Sequence, residues 1–121
     1  LLKNKKILIS GLANKYSIAA GIASAMHREG AELPLLIKMK GFKKSIALAE
    51  SYGSTILIES DVSSDESIKQ SFEELKKHWD SFDGFVHSIG FAPADHLEGN
   101  FVDVTTREGF KIAHDISSYS F

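Results

Sequence analysis

Two hydrophobic periods alternate along this chain. Lys6-Ile7-Leu8-Ile9-Ser10 is a short apolar run closed by Gly11, the pattern of a strand buried on both faces. From Ser17 to Arg28 the pattern turns helical: Ile18, Ile22, Ala25 and Met26 recur at helical spacing, and Gly30 stands where a C-terminal cap belongs. A second strand is expected to start near Glu32 and to include Leu33, Leu35, Leu36 and Ile37. A helix from Lys43 to Tyr52 follows, with Gly53 as its stop. Thr55-Ile56-Leu57-Ile58-Glu59 predicts a third strand, rich in β-branched and aliphatic residues. Ser63 and Glu66 have the spacing of a capping box, for a helix that presents Ile68, Phe72 and Leu75 on one face and ends near Trp79. Phe82 to Ile89 predicts a fourth strand closed by Gly90, and a loop through Pro93 and Gly99 comes next. Thr105 and Glu108 form a second capping box, opening a helix with Phe110, Ile112, Ala113 and Ile116. That last pattern reaches Phe121 without a stop signal, so the chain reads as the first part of a longer domain.

Strands separated by helices need crossovers, which implies an α/β fold with a parallel sheet and helices on both faces. Four strands are about half of a doubly wound, Rossmann-like nucleotide-binding sheet, and the expected strand order is 3-2-1-4. Composition narrows the function classes. The chain has 121 residues, 43% hydrophobic and 25% charged, which excludes a low-complexity or highly charged disordered chain. It has no cysteine, so a disulfide framework, an Fe–S cluster and a thiol nucleophile are excluded. No apolar run has the length of a membrane span, and no signal peptide heads the chain. The net charge of −2 hides an asymmetry. Residues 1–50 carry nine Lys/Arg against three acids, and residues 51–121 carry five against thirteen. The lysines of the basic half are scattered around apolar segments, without the stripe and interleaved aromatics that bind nucleic acid, so no nucleic-acid partner is expected.

Three turns could carry chemistry. Gly11 follows the first strand, where a glycine permits a tight turn and a close approach of backbone to a pyrophosphate; a helix starting near Ser17 would aim its N–H groups at the same anion. Ser17 could cap that helix or donate to a phosphate, and Ala19, Gly21 and Ala23 are small enough to let it lie close to the sheet. A single glycine after a strand is also ordinary turn chemistry. Asp61 and Val62 follow the third strand, placed either to hold an adenine or only to start the turn before Ser63. Ser88-Ile89-Gly90-Phe91-Ala92 ends the fourth strand, where open α/β sheets collect ligands, or is a plain strand end. The histidines 27, 78, 87, 96 and 114 show no metal-ligand spacing. His87 sits in an apolar strand, as a hydrogen-bonded core histidine does, and Trp79 and the phenylalanines are assigned to the core.

Taken together these segments resemble a known family. Gly11, with five residues to Ser17 and then Ala19, is similar to the cofactor loop of bacterial NADH-dependent enoyl-[acyl-carrier-protein] reductases, divergent short-chain dehydrogenases/reductases. The resemblance extends through Met26–Leu33, Asp83–Pro93 and Thr106–Ser120, and so over almost the whole chain. It implies that Gly11, Ser17 and Ile18 hold the pyrophosphate and adjoining ribose of NADH, Asp61 and Val62 the adenine, and Ile89 and Gly90 the nicotinamide-side ribose. Ala92 would touch the acyl substrate. It further implies a cytoplasmic enzyme acting on an acyl-carrier-protein-bound enoyl substrate in fatty-acid elongation, homotetrameric when intact but not as this fragment.

Two departures qualify the likeness. The family's catalytic pair is a tyrosine, which polarises the thioester carbonyl, and a lysine seven positions later. Here Tyr16 is followed at that spacing by Ala23 and Tyr52 by Glu59, and Tyr119 stands too close to Phe121 to be followed at all. The fragment is therefore expected to be inactive by itself, and a non-catalytic nucleotide-binding half-domain or relic is the alternative. The other departure runs from Pro34 to about Ile46, where the family continues its second strand as Phe-Thr-Tyr-Gln-Asn. Codons for Leu36 to Phe42, taken one base earlier, can spell Thr-Tyr-Gln-Asn-Glu-Arg-Leu, which suggests a local frameshift. The coding DNA tests it: if no alternative frame restores the family run, the segment is a genuine loop variant. Read as they stand, Lys38 and Lys40 would favour the 2′-phosphate of NADPH, and Pro34 would remove a ladder hydrogen bond from the second strand.

Overall fold

A computed structural model describes residues 1–37 and 42–121, which form two units, Leu1–Ser88 and Ile89–Phe121. In the first unit the strands are β1 (Ile7–Ser10), β2 (Leu35–Ile37), β3 (Leu57–Glu59) and β4 (Gly84–His87), and the helices are α1 (Ile18–Arg28), α2 (Phe42–Ser51) and α3 (Asp65–Lys76). Every pairing is parallel, and the sheet runs β3-β2-β1-β4. Successive side chains of a strand point to opposite faces, and β1 uses both. Ile7 and Ile9 pack with Ala19, Ala20 and Ala23 of α1 and Ala49 of α2. Leu8 packs on the other side with Ile58, Leu75 of α3 and Trp79. All four residues of β1 are buried, which places it at the centre of the sheet between two helical layers.

Pro34 shapes β2. The ladder from β1 begins early, with Glu32 N–H donating to the Lys5 carbonyl at 2.8 Å and Ile7 N–H to the Glu32 carbonyl at 2.9 Å. Two residues on, the same pattern requires a donor from residue 34, and proline has none. Pro34 still accepts from Ile9 N–H at 3.1 Å, but the continuous strand starts at Leu35 and not near Glu32. The strand expected over Phe82–Ile89 is likewise shorter. Asp83 marks its start: its carboxylate takes Lys6 N–H at 2.8 Å and the Lys5 ammonium at 3.0 Å, and its own N–H donates to the Lys6 carbonyl. These bonds hold the Asp83 carboxyl below the usual carboxylate range, the Lys6 N–H contributing most.

Both N-caps lie one residue after the positions expected from the capping boxes. Ser63 spends its hydroxyl proton on the Asp61 carboxylate at 2.6 Å, and Ser64 becomes the N-cap of α3, accepting from Ser67 N–H at 3.3 Å. In the second unit a 3-10 turn (Ala94–His96) and a short helix α4 (Phe101–Val104) occupy the expected loop. Thr105 ends α4, donating its N–H to the Phe101 carbonyl, so Thr106 caps α5 (Arg107–His114) and accepts from Gly109 N–H at 3.1 Å. A π-helical turn, Asp115–Tyr119, follows α5. The assignment of Trp79 and the phenylalanines to the core needs correction. Trp79 is buried, but Phe91, Phe101, Phe110 and Phe121 are exposed.

Candidate functional site

The carboxyl ends of β1 and β3 lie at one edge of the parallel sheet, and each leads into one of the turns singled out above. Gly11 adopts φ 91°, a left-handed conformation that side chains resist, so the turn after β1 requires glycine there. Just before it, buried Ser10 donates its hydroxyl to the Val86 carbonyl at 3.1 Å and accepts Ser88 N–H at its own carbonyl, tying the ends of β1 and β4 together. Its only sequence signal is a polar residue closing an apolar run.

Between Gly11 and α1 the chain folds on itself. Asn14 Oδ1 accepts Tyr16 N–H at 2.8 Å, and the Ser17 hydroxyl donates to the Asn14 carbonyl at 2.6 Å. Ser17 is the N-cap of α1 by position, with φ −64° and ψ 147°, yet its side chain makes no capping bond. The hydroxyl has one proton, and the loop holds it; donation to a phosphate requires the hydroxyl to turn. Ile18, counted above with the apolar stripe of α1, is 77% exposed beside these uncapped N–H groups, whereas its neighbours Ala19 and Ala20 on the same turn are buried, so the helix turns the alanines to the core and Ile18 away from it. Ala19 and Ala23 do lie buried, but Gly21 faces outward and a Cβ there would meet nothing within 4 Å, so it plays no part in close packing.

After β3, Asp61 Oδ1 accepts both Ser63 N–H at 3.0 Å and the Ser63 hydroxyl, while Asp61 N–H donates to Ser67 Oγ at 2.9 Å. The turn-starting role is thus present. A carboxylate accepts about four hydrogen bonds, so this role and adenine recognition use compatible chemistry. Val62 is half-buried beside it. Ile89, Gly90 and Ala92 belong to the second unit. Gly90 is exposed, and a Cβ built on it would meet nothing within 4 Å, leaving its backbone open to a close approach. His87 is half-buried in β4 with its ring edge-on to Phe85, centroids 6.1 Å apart. Lys38 and Lys40, the basis for a 2′-phosphate contact, lie outside the described residues, as does part of the segment assigned to a frameshift.

These turns can be set beside known proteins. The profile of the family described as "Enoyl-(Acyl carrier protein) reductase" matches residues 11–121. This chain belongs to that family. It is 57% identical to the enoyl-[acyl-carrier-protein] reductase [NADH] of Escherichia coli (strain K12), a match covering 99% of this chain and 46% of that enzyme. The chain therefore spans about half the length of the curated relatives it matches. The crystal structure of the Aquifex aeolicus reductase (NADH) superposes with a TM-score of 0.93 at 47% identity, over 99% of this chain and 53% of that one. The reductase of Anaplasma phagocytophilum, solved in complex with NAD, gives 0.92 at 38% identity, over 98% and 45%. The α/β architecture with a parallel sheet is thus that of the family.

Proposed function

We propose that the chain is the cofactor-gripping, N-terminal part of a single dinucleotide-binding domain in a cytoplasmic enzyme. That enzyme would reduce trans-2-enoyl-[acyl-carrier-protein] to acyl-[acyl-carrier-protein] with NADH in fatty-acid elongation. One observation carries the reading: a chain of this family bends after β1 at a left-handed Gly11 and opens α1 without a side-chain cap, the local chemistry an anion needs. Gly11, Ser17 and Ile18 take the pyrophosphate and adjoining ribose. The Asp61 carboxylate accepts from the adenine amino group and Val62 N–H donates to the ring. Ile89 and Gly90 pass along the nicotinamide-side ribose, and Ala92 meets the acyl substrate. NADH, when bound, supplies the hydride for the β-carbon of the enoyl thioester.

The residues of this chain bind and orient. Neither Tyr16 nor Tyr52 has a lysine seven positions on, Ala23 and Glu59 standing there, so polarisation of the thioester carbonyl is assigned to neither. The isolated chain binds cofactor without turnover, and the homotetramer belongs to the intact enzyme. The same missing pair favours a second reading for the chain alone, a nucleotide-binding half-domain with no enzymatic role.

Calorimetric titration with NADH tests the grip, and enoyl-thioester-dependent NADH oxidation tests the inactivity. Binding in the millimolar range or tighter is expected, with Asp61→Ala weakening it roughly tenfold, the worth of one hydrogen bond to a charged group. Absence of binding overturns the cofactor reading, and measurable oxidation overturns the inactivity.

A further inference from the structure

One hydroxyl in the second unit holds both polar groups of a loop residue far from it in sequence. Ser117 Oγ accepts from Phe91 N–H at 2.9 Å and donates to the Phe91 carbonyl at 3.1 Å, across 26 residues. A hydroxyl has one proton and two lone pairs, so a single serine can serve donor and acceptor together. Phe91 lies between Gly90 and Ala92. Packing does little to fix this stretch: Phe91 is 48% exposed, and Gly90 has no side chain and open space where a Cβ would stand. A glycine peptide left to itself samples many conformations. The Ser117 clamp supplies the restraint that packing omits.

The helix path is altered where the clamp sits. Ser117 lies within the π-helical turn, closed by Ser120 N–H donating to the Asp115 carbonyl at 3.1 Å, five residues back. An inserted π turn changes the direction of the side chains it carries, and such turns occur often at functional sites.

We infer that Ser117 is a positioning residue, acting through Phe91 to fix the backbone of Gly90 and Ala92 for the nicotinamide-side ribose and the acyl substrate. The inference rests on the cofactor reading proposed above. Its signature is selectivity: losing the clamp damages recognition of the nicotinamide half and spares the adenosine half, which Gly11, Ser17 and Asp61 hold.

The test compares NADH with ADP, which lacks both the nicotinamide and its ribose, on the 121-residue chain and its Ser117→Ala and Ser117→Thr variants. For Ser117→Ala the NADH dissociation constant is expected to rise about tenfold and that for ADP by less than about twofold, since two modest hydrogen bonds are lost at one end only. Ser117→Thr keeps the hydroxyl and restores NADH affinity. Hydrogen exchange adds a direct readout, because the Phe91 amide loses protection in Ser117→Ala alone. If the parent binds both ligands and Ser117→Ala binds NADH unchanged, or loses both equally, the inference is overturned and the cofactor reading stands. If the parent binds neither ligand, the cofactor reading fails and the inference with it.

Discussion

Gly109 shows how a single methyl group reports on a neighbour. It is buried in the first turn of α5, and a Cβ there would lie 1.8 Å from Cε1 of His96, in severe overlap with that edge of the ring. His96 Nε2 also sits 3.3 Å from the Thr106 hydroxyl that caps α5. Gly109→Ala therefore expels the imidazole and costs about 1 kcal/mol in that hydrogen bond, while helix propensity returns up to about 1 kcal/mol. The substitution is expected to be near neutral in the native chain and stabilising by up to about 1 kcal/mol when His96→Ala is already present. Urea denaturation of the four proteins gives the coupling, and equal effects in both backgrounds would exclude the contact. At this scale legibility follows sequence distance. Gly11 was readable because its role is set by the run it closes, whereas Ser10 and Ser117 work on partners 76 and 26 residues away, which nothing beside them in sequence names. The Ile18 side chain misled the periodic pattern for a different reason: the core-facing positions of α1 are the small residues Ala19, Ala20 and Ala23, and Ile18 points away from them.

The strands and the longer helices were legible in kind and order, the 3-10 turn and α4 were read as loop, and helix starts were missed by a residue because neighbouring residues of the same type compete for one cap. The outcome is testable at α3. Ser64→Ala removes the observed cap and is expected to cost about 1 kcal/mol. Ser63→Ala leaves that cap in place and costs the helix less, since its hydroxyl serves Asp61. Equal losses in thermal melts, or a larger loss for Ser63→Ala, would restore the capping box as expected from sequence. At the entry to β4, Asp83 links β1 and β4 through the Lys6 N–H and the Lys5 ammonium, which lower its pKa in the folded state. A carboxyl lowered on folding contributes stability above its unfolded pKa and loses it as pH falls through the folded value. Asp83→Asn is therefore expected to be less stable than the parent near neutral pH, with the difference shrinking as pH drops through and below the ordinary carboxylate range. A gap that stays constant or widens on acidification would show that the shift has no energetic consequence.

For the chain as a whole, alternation of strand-like and helix-like patterns was enough to expect a parallel sheet, because parallel strands need crossovers. The two-sided core was implicit in the unbroken apolar run of β1, whose neighbours Ile7 and Leu8 belong to different helical layers. The position of β4 has a further consequence. Among the described residues it pairs with β1 alone, so one row of its backbone groups lies at the border of the sheet. Phe85 and Val86 pack into opposite layers, and every residue of the strand is only half-buried. A border strand that is apolar on both faces and lacks a charged or proline guard offers a template for another chain. The 121-residue chain is accordingly expected to self-associate in sedimentation velocity runs as its concentration rises. His87→Lys, which adds an ammonium to that strand, should reduce the association, as lysines on natural border strands do. A monodisperse, cooperatively melting monomer at high concentration would mean that β4 is protected, and association unchanged by His87→Lys would place the contact elsewhere.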